Sequence, residues 1–219
     1  MAKQLRSQAT RAAIITGAAG VFNEVGFKRA TLEAAADAAG VTKGALYFHF
    51  PSKADLANAV IETQHEISRK YAVAAFARGA SALESLMWMS RGLAEQMRNE
   101  VVVSAGIRLS TESGSGELTR DAPYVDWMEA VETLLREAIN QGDVLRTHDP
   151  ELLARFIIPA YTGVQLVSDV VHQRTDLYER VREMWQVLLP AIVVPERAAL
   201  ATSLPELIMQ PTRGLGGTR

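Results

Sequence analysis

The stretch TLEAAADAAGVTKGALYFHFPSKADL, residues 31–56, decides the fold. Thr31 is a good N-cap, and Glu33 sits in the following first turn, where the helix dipole favours negative charge. Leu32, Ala35, Ala36 and Ala39 line one face, and Gly40 ends the helix where left-handed backbone is cheap. Only Val41 separates Gly40 from Thr42, a second N-cap. Residues 43–48 then read as a short helix, and Pro51 blocks its continuation. Ser52, with Asp55 three residues on, opens a further helix as a capping box. Two short helices joined by a tight glycine-containing turn describe a helix-turn-helix, whose second helix offers its first turn to the DNA major groove.

The residue types suit that task. The Thr42 hydroxyl and the free backbone N–H groups beside it attract phosphate. Lys43 can reach the N7 and O6 acceptors of guanine. Gly44 lets backbone approach DNA closely, Tyr47 and His49 can hydrogen-bond phosphate, and Lys53 adds charge at the head of the next helix. Taken singly, each has an ordinary alternative: Tyr47 as packing at the rim, His49 as a surface histidine, the lysines as solvating charges. The charge distribution favours DNA. Residues 1–53 hold seven Lys/Arg and only three acids, +4, whereas the rest of the chain carries −6 within an overall −2. A basic head on an acidic body suits a module that faces phosphates.

Outside this stretch, apolar residues recur at helical spacing nearly everywhere, so the class is all-α. In the first helix Ile14, Ile15, Ala18, Ala19, Phe22 and Val25 make one stripe, and Gly26 is a stop signal. Longer helices are expected over 81–99, 101–111, 124–141, 151–172 and 177–194, with a Gly/Ser loop at 112–123 and a short terminal helix within 195–209. Pro159 should kink or split its helix. The expected domains are a helix-turn-helix DNA-binding domain at 1–53, a helical ligand-binding and dimerisation domain at 54–210, and a flexible tail at 211–219.

The 219 residues are 48% hydrophobic and 22% charged, enough for a sizeable core, and contain no cysteine. Disulfides and thiolate metal sites are therefore excluded, and the cytoplasm is the expected compartment. No run of ~18 apolar residues and no signal peptide is present, so no membrane partner is expected. An enzyme finds little support. His49, His65, His148 and His172 are scattered, with no His-Glu-x-x-His pattern, no Gly-rich phosphate loop and no G-x-S-x-G elbow. Asp149, beside His148, reads as a helix cap. No cofactor or metal is expected.

The run VTKGALYFHFPSKADL, within residues 31–62, strongly resembles the DNA-binding domain of the TetR family of bacterial repressors. The resemblance implies DNA contacts at Thr42, Lys43, Gly44, Tyr47, His49 and Lys53, and an all-α homodimer with a ligand pocket in its C-terminal domain. Within that family, AKQLRSQATRAAII (2–15), VTKGALYFHF (41–50), Asp126-Trp127 and YTGVQLVS (161–168) look like the γ-butyrolactone autoregulator receptors. Those proteins sense small lactones, furans or butenolides and repress secondary metabolism. Tyr161 departs from the pattern, which has Phe or a smaller residue beside the Thr.

A small amphiphilic ligand needs an apolar cavity with a few polar anchors. Trp127 lies in the 124–141 helix with Val131, Leu134 and Leu135 continuing its face. Thr162 and Gln165 interrupt an apolar helix beside Pro159 and Gly163. Gln64, on the helix after the DNA-binding head, is a candidate for coupling ligand to head. By resemblance, Trp127 and Thr162 are the leading pocket residues. Met87, Trp88 and Met89 read as core, and Trp185 as core or dimer interface. Phe156, Ile157, Val164, Val167 and Val171 on one helix, with Val181, Trp185, Leu188 and Leu189 on the next, are expected to form a four-helix bundle across a two-fold axis. The expected partners are thus double-stranded operator DNA, a small apolar lactone or butenolide, and a second copy of the chain. The competing readings are a regulator answering an antibiotic or intermediate, and an orphan regulator with no ligand.

Overall fold

The structure, a computed structural model, describes residues 2–78, 80–112, 118 and 121–211. Most of the expected 112–123 loop and residues 212–219 of the expected tail lie outside the described residues. Ten α-helices and two short 3-10 turns are formed, with no strand among the described residues. They are α1 (Ala2–Arg29), α2 (Leu32–Ala38), α3 (Lys43–His49), α4 (Lys53–Arg78), α5 (Ala82–Asn99), α6 (Val101–Thr111), α7 (Asp121–Asn140), α8 (Pro150–His172), α9 (Leu177–Ile192) and α10 (Ala199–Ser203). The 3-10 turns, Pro195–Arg197 and Leu204–Met209, flank α10.

The capping chemistry read in the sequence is present. Thr31 Oγ1 accepts from Ala34 N at 3.1 Å, and Thr42 Oγ1 from Ala45 N at 3.2 Å. Ser52 and Asp55 bond reciprocally: Ser52 N donates to Asp55 Oδ2 at 3.1 Å, and Asp55 N to Ser52 Oγ at 3.1 Å. Asp149 caps α8 by accepting from Glu151 N at 3.0 Å. Gly40 sits at φ +66°, as the turn between α2 and α3 requires. Pro159 does not split its helix: α8 runs unbroken from Pro150 to His172. Packing of its inner face, with Ala154, Ile157, Tyr161, Gln165 and Ser168 buried, outweighs the one backbone bond a proline removes.

The chain separates into two compact units. The first comprises Met1–Ser68 and Asn99–Ala122, the second Arg69–Arg98 and Pro123–Arg219. The first unit owes its composition to α6, which packs along α1. Its core joins Ile14, Ile15, Ala18, Ala19 and Phe22 of α1 with Leu46, Leu56 and Val60, and with Val102, Ala105 and Leu109 of α6. Burying each large aliphatic side chain fully is worth roughly 1.5–3 kcal/mol. The helix-turn-helix is therefore held by a helix far along the chain.

α1 is broken at Gly26, whose backbone (φ +74°, ψ +170°) is non-helical. The break leaves backbone groups without helical partners on either side, and α6 supplies them. Arg108 Nη1 donates to Asn23 O at 2.5 Å, and the Glu112 carboxylate accepts from Phe27 N at 3.0 Å. Asn23 Nδ2 donates in turn to Val101 O at 3.0 Å. The cation thus meets a helix C-terminus and the anion an N-terminal N–H, the signs the helix dipole favours.

In the second unit α8 and α9 pack together. Trp185 is core: it is 1% exposed and its Nε1 donates to Ser90 Oγ at 3.1 Å. Met87 and Trp88 are buried as expected. The apolar set read as one dimer surface splits in two. Ile157, Val181, Trp185 and Leu189 face inward, Val164 and Leu188 are half-buried, and Phe156, Val167 and Val171 are exposed. α8 is apolar on opposite sides, so one stripe serves the core and the other lies open.

Two glycines three residues apart on α1 separate close packing from simple helix propensity. A Cβ on Gly17 would lie 2.7 Å from Ala39 N, against backbone that cannot yield, while Gly20 has open space around it. Gly17→Ala is expected to destabilise the protein by about 1–3 kcal/mol in urea unfolding. Gly20→Ala is expected to be neutral or stabilising by up to about 1 kcal/mol.

Candidate nucleic-acid interface and sensing residues

α3 has two faces. Leu46, fully buried, and Phe50, its C-cap, hold it to the core. Thr42, Lys43, Gly44, Tyr47 and Phe48 are exposed, and His49 is half-buried between the Phe48 and Phe50 rings. Five of the six residues read as DNA contacts therefore lie together on α3 or at its cap. Lys43 Nζ is 3.5 Å from Glu33 Oε1, an exposed ion pair between α3 and α2. A hydrogen bond from its own backbone N–H, and secondarily the Lys43 ammonium, hold the Glu33 carboxyl below its usual range.

Lys53, the sixth, is engaged within the fold. Its Nζ donates to Lys28 O at 3.2 Å and Ala30 O at 3.0 Å, and lies 4.7 Å from the centroid of the Phe27 ring. It ties the start of α4 to the chain following the Gly26 break. Arg11, on α1, stacks over Phe50 at 5.2 Å.

The five residues read as ligand-binding are divided between the units. Gln64 belongs to the first. It is buried, its Nε2 donates to Ser68 Oγ at 3.1 Å, and its Cβ lies 2.4 Å from where a Cβ on Gly106 of α6 would stand. Gln64 is thus the contact at which α4 meets α6. The other four lie in the second unit: Trp127, half-buried, and Val131, buried, on α7; Thr162, half-buried, and Gln165, buried, on α8. The Thr162 hydroxyl donates to Ile158 O at 2.9 Å. Burial pushes the Tyr124 phenol above its usual range, and Thr162 lies close enough to that phenol, at the start of α7, to offset part of the rise. Tyr161, the departure from the receptor pattern, is buried and donates its hydroxyl to Ser90 O at 2.9 Å. Burial raises that phenol too. No group of three or more His, Asp or Glu side chains among the described residues is placed to hold a metal, and no described helix is long and apolar enough to cross a membrane.

Residues 14–60 match the family described as bacterial regulatory proteins, tetR family, and residues 80–195 match the tetracyclin repressor-like C-terminal domain. The chain belongs to the TetR family. It is a TetR-type transcriptional repressor, a DNA-binding regulator and not an enzyme. It is 37% identical to the A-factor receptor protein of Streptomyces griseus over 195 residues, 89% of this chain and 68% of that one. Among solved structures, a γ-butyrolactone receptor (ArpA-like protein) superposes with TM-score 0.80 at 34% identity, covering 94% of this chain and all of the other. CprB of Streptomyces coelicolor, solved in complex with its operator sequence, gives 0.76 at 36% identity over 91% of this chain and 96% of its own.

Two residues near these sites were absent from the sequence reading. Phe48 is 80% exposed, the most exposed aromatic of the recognition helix. Its spacing carried the signal: it falls on the face opposite Leu46 and Phe50. Tyr124 was passed over as the first residue of an expected helix, and α7 in fact begins at Asp121.

The ion pair with Glu33 holds the same Lys43 ammonium that the sequence reading assigns to DNA. Glu33→Gln is expected to tighten operator binding about two- to fivefold, the worth of an exposed ion pair, as measured by fluorescence anisotropy. Lys53→Ala is expected to weaken operator binding and also to destabilise the protein by about 1–3 kcal/mol, since two charge-assisted hydrogen bonds are lost. Parallel urea unfolding separates the two effects.

Proposed function

We propose that this repressor binds a pseudo-palindromic operator as a homodimer in the cytoplasm. In this reading it is released by a small, largely apolar signalling molecule of γ-butyrolactone or butenolide type. The observation that carries the DNA half is α3: a helix anchored by Leu46 whose opposite side exposes Thr42, Lys43, Gly44 and Tyr47. Thr42 Oγ1 accepts the capping bond and keeps its own hydrogen for a phosphate. Lys43 exchanges Glu33 for guanine N7 and O6. Tyr47, His49 and the remaining N–H of Lys53 bind backbone phosphate, and Gly44 leaves room for close approach. The sensing half is supported by similarity across most of the chain to proteins named as receptors for A-factor and γ-butyrolactone.

The homodimer reading is supported by the open apolar face of α8 and α9. Val164, Val167, Val171 and Val187 line a groove there, beside Pro159 and Gly163. Covering it with the same face of a second copy makes a four-helix bundle and sets two α3 helices on one operator, ~34 Å or a multiple apart. Trp127, Val131, Thr162 and Gln165 line the ligand site, and Gln64 acts at the α4–α6 contact that ligand displaces. Ligand favours the state whose heads do not fit the operator, so operator binding weakens ligand affinity by the same factor.

The experiment is release of a labelled operator duplex by culture extracts of the source organism. Wild-type protein is expected to release DNA, and Trp127→Ala to bind the operator with unchanged affinity and resist release. Loss of folding in Trp127→Ala, or release identical to wild type, contradicts its assignment. No release by any extract contradicts the sensing reading.

A further inference from the structure

α1 begins well before the core it serves. Across residues 4–13, roughly 15 Å of helix, no side chain is buried, and the first buried residue of α1 is Ile14. Helices in proteins are held mainly by packing an apolar face, and this stretch buries none. Its charge is one-sided. Lys3, Arg6 and Arg11 occur in residues 1–23, and no acid precedes Glu24. No carboxylate therefore stands three or four residues from either arginine to form a pair along the helix. Ser7, Arg11, Ile14 and Ala18 fall at i, i+4, i+7 and i+11, so Arg11 stands on the stripe that enters the core one turn later. Its guanidinium lies 5.2 Å from the centroid of the Phe50 ring, the C-cap of α3. Arg6, Ser7 and Thr10 belong to that side of the helix, whereas Leu5, Ala9, Ala12 and Ala13 lie exposed on the other. The overhang thus turns its cationic side toward the side of the first unit on which α3 packs.

We infer that this overhang of α1 is a second DNA-binding surface, on which Arg6 and Arg11 hold phosphates of the duplex beside the groove that α3 enters. The inference rests on the operator-binding reading above and extends the protein's footprint beyond α3 and Lys53. Charge complementarity and continuity with α3 choose the occupant. A guanidinium matches phosphate with paired N–H donors. Stacking on Phe50 uses only the flat face of Arg11 and leaves its edge N–H groups for phosphate. The Ser7 hydroxyl stands one turn before Arg11 and can donate to the same strand. Phosphate contacts carry no base information. The overhang therefore sets how tightly any duplex is held, while Lys43 on α3 selects among sequences.

The test uses the full-length chain and two labelled duplexes of equal length, one selected by the protein from a random pool and one of unrelated sequence. Affinity is read by fluorescence anisotropy over a range of salt concentrations. The double variant Arg6→Gln, Arg11→Gln is expected to weaken both duplexes by the same factor, about tenfold or more, and to leave their ratio unchanged. Each lost phosphate contact lowers the slope of log affinity against log salt by about 0.9, so a dimer that loses four is expected to show a slope lower by about 3–4. Arg6→Lys with Arg11→Lys keeps the charges and is expected to keep most of the slope. Arg6→Gln alone, which leaves the Phe50 stack in place, repeats the measurement if the double variant does not fold, with an expected fall of about 2. Unchanged affinity and slope on both duplexes overturns the inference. Weakening of the selected duplex alone, with the slope retained, also overturns it and makes Arg11 a positioning residue that acts through Phe50. Weaker self-association in sedimentation with DNA affinity retained assigns the overhang to a second copy of the chain and overturns it as well. Wild type that holds both duplexes equally contradicts the operator reading, whereas the slopes of the variants on either duplex still decide this one.

Discussion

The break in α1 at Gly26 is the constraint on which the first unit depends. A helix that stops there must satisfy a carbonyl on one side and an N–H on the other. Arg108 and Glu112, four residues apart at the end of α6, do both. A Cβ at position 26 would meet Glu112 Oε1 at 2.8 Å, and φ of +74° is a conformation L side chains rarely adopt. Glycine is therefore required by the backbone angle, and a Cβ there would also push the Glu112 carboxylate that bonds Phe27 N. Just beyond the break Lys53 binds the carbonyls of Lys28 and Ala30. The end of α1 is thus fixed to α6 and to the start of α4, and α2 and α3 are built directly upon it.

This arrangement ties the elements that carry α3 to the chain that follows them. A single residue, Glu100, separates α5 from α6, and α4 passes from one compact unit into the other. Within the first unit α6 holds α1 by charged hydrogen bonds at one end and meets Gln64 of α4 at Gly106. The missing Cβ of Gly106 lets Gln64 pack directly against the α6 backbone, which leaves α6 little freedom to slide without moving α4. The elements that carry Thr42 and Lys43 are consequently not independent of the chain that follows them, which the proposed release mechanism requires.

Much of this was legible in the sequence, because local chemistry determined it. Thr31, Gly40, Thr42 and the Ser52–Asp55 box each specify a helix end through their own backbone or a neighbour three residues away, and each forms as read. What escaped the sequence depends on partners far along the chain. Nothing in the spacing of Lys53 reveals that its ammonium is bound to carbonyls of residues 28 and 30. Gly26 reads as a stop, but Arg108 and Glu112 as its complement lie more than eighty residues away. The α8 and α9 apolar residues were assigned to one surface because a helix apolar on both sides gives no clue to which side is covered. Arg6 and Arg11 could be counted into a basic head, whereas their place on an unburied stretch of α1 beside Phe50 needed the position of α3.

The central claim is that α3 reads DNA as one of a symmetric pair. It is tested most directly by selecting bound duplexes from a random-sequence pool with the full-length protein. The account predicts enrichment of an inverted repeat, two related half-sites whose centres are ~34 Å or a multiple apart along the duplex. Enrichment of a single unrepeated half-site, or no enriched sequence at all, would contradict it.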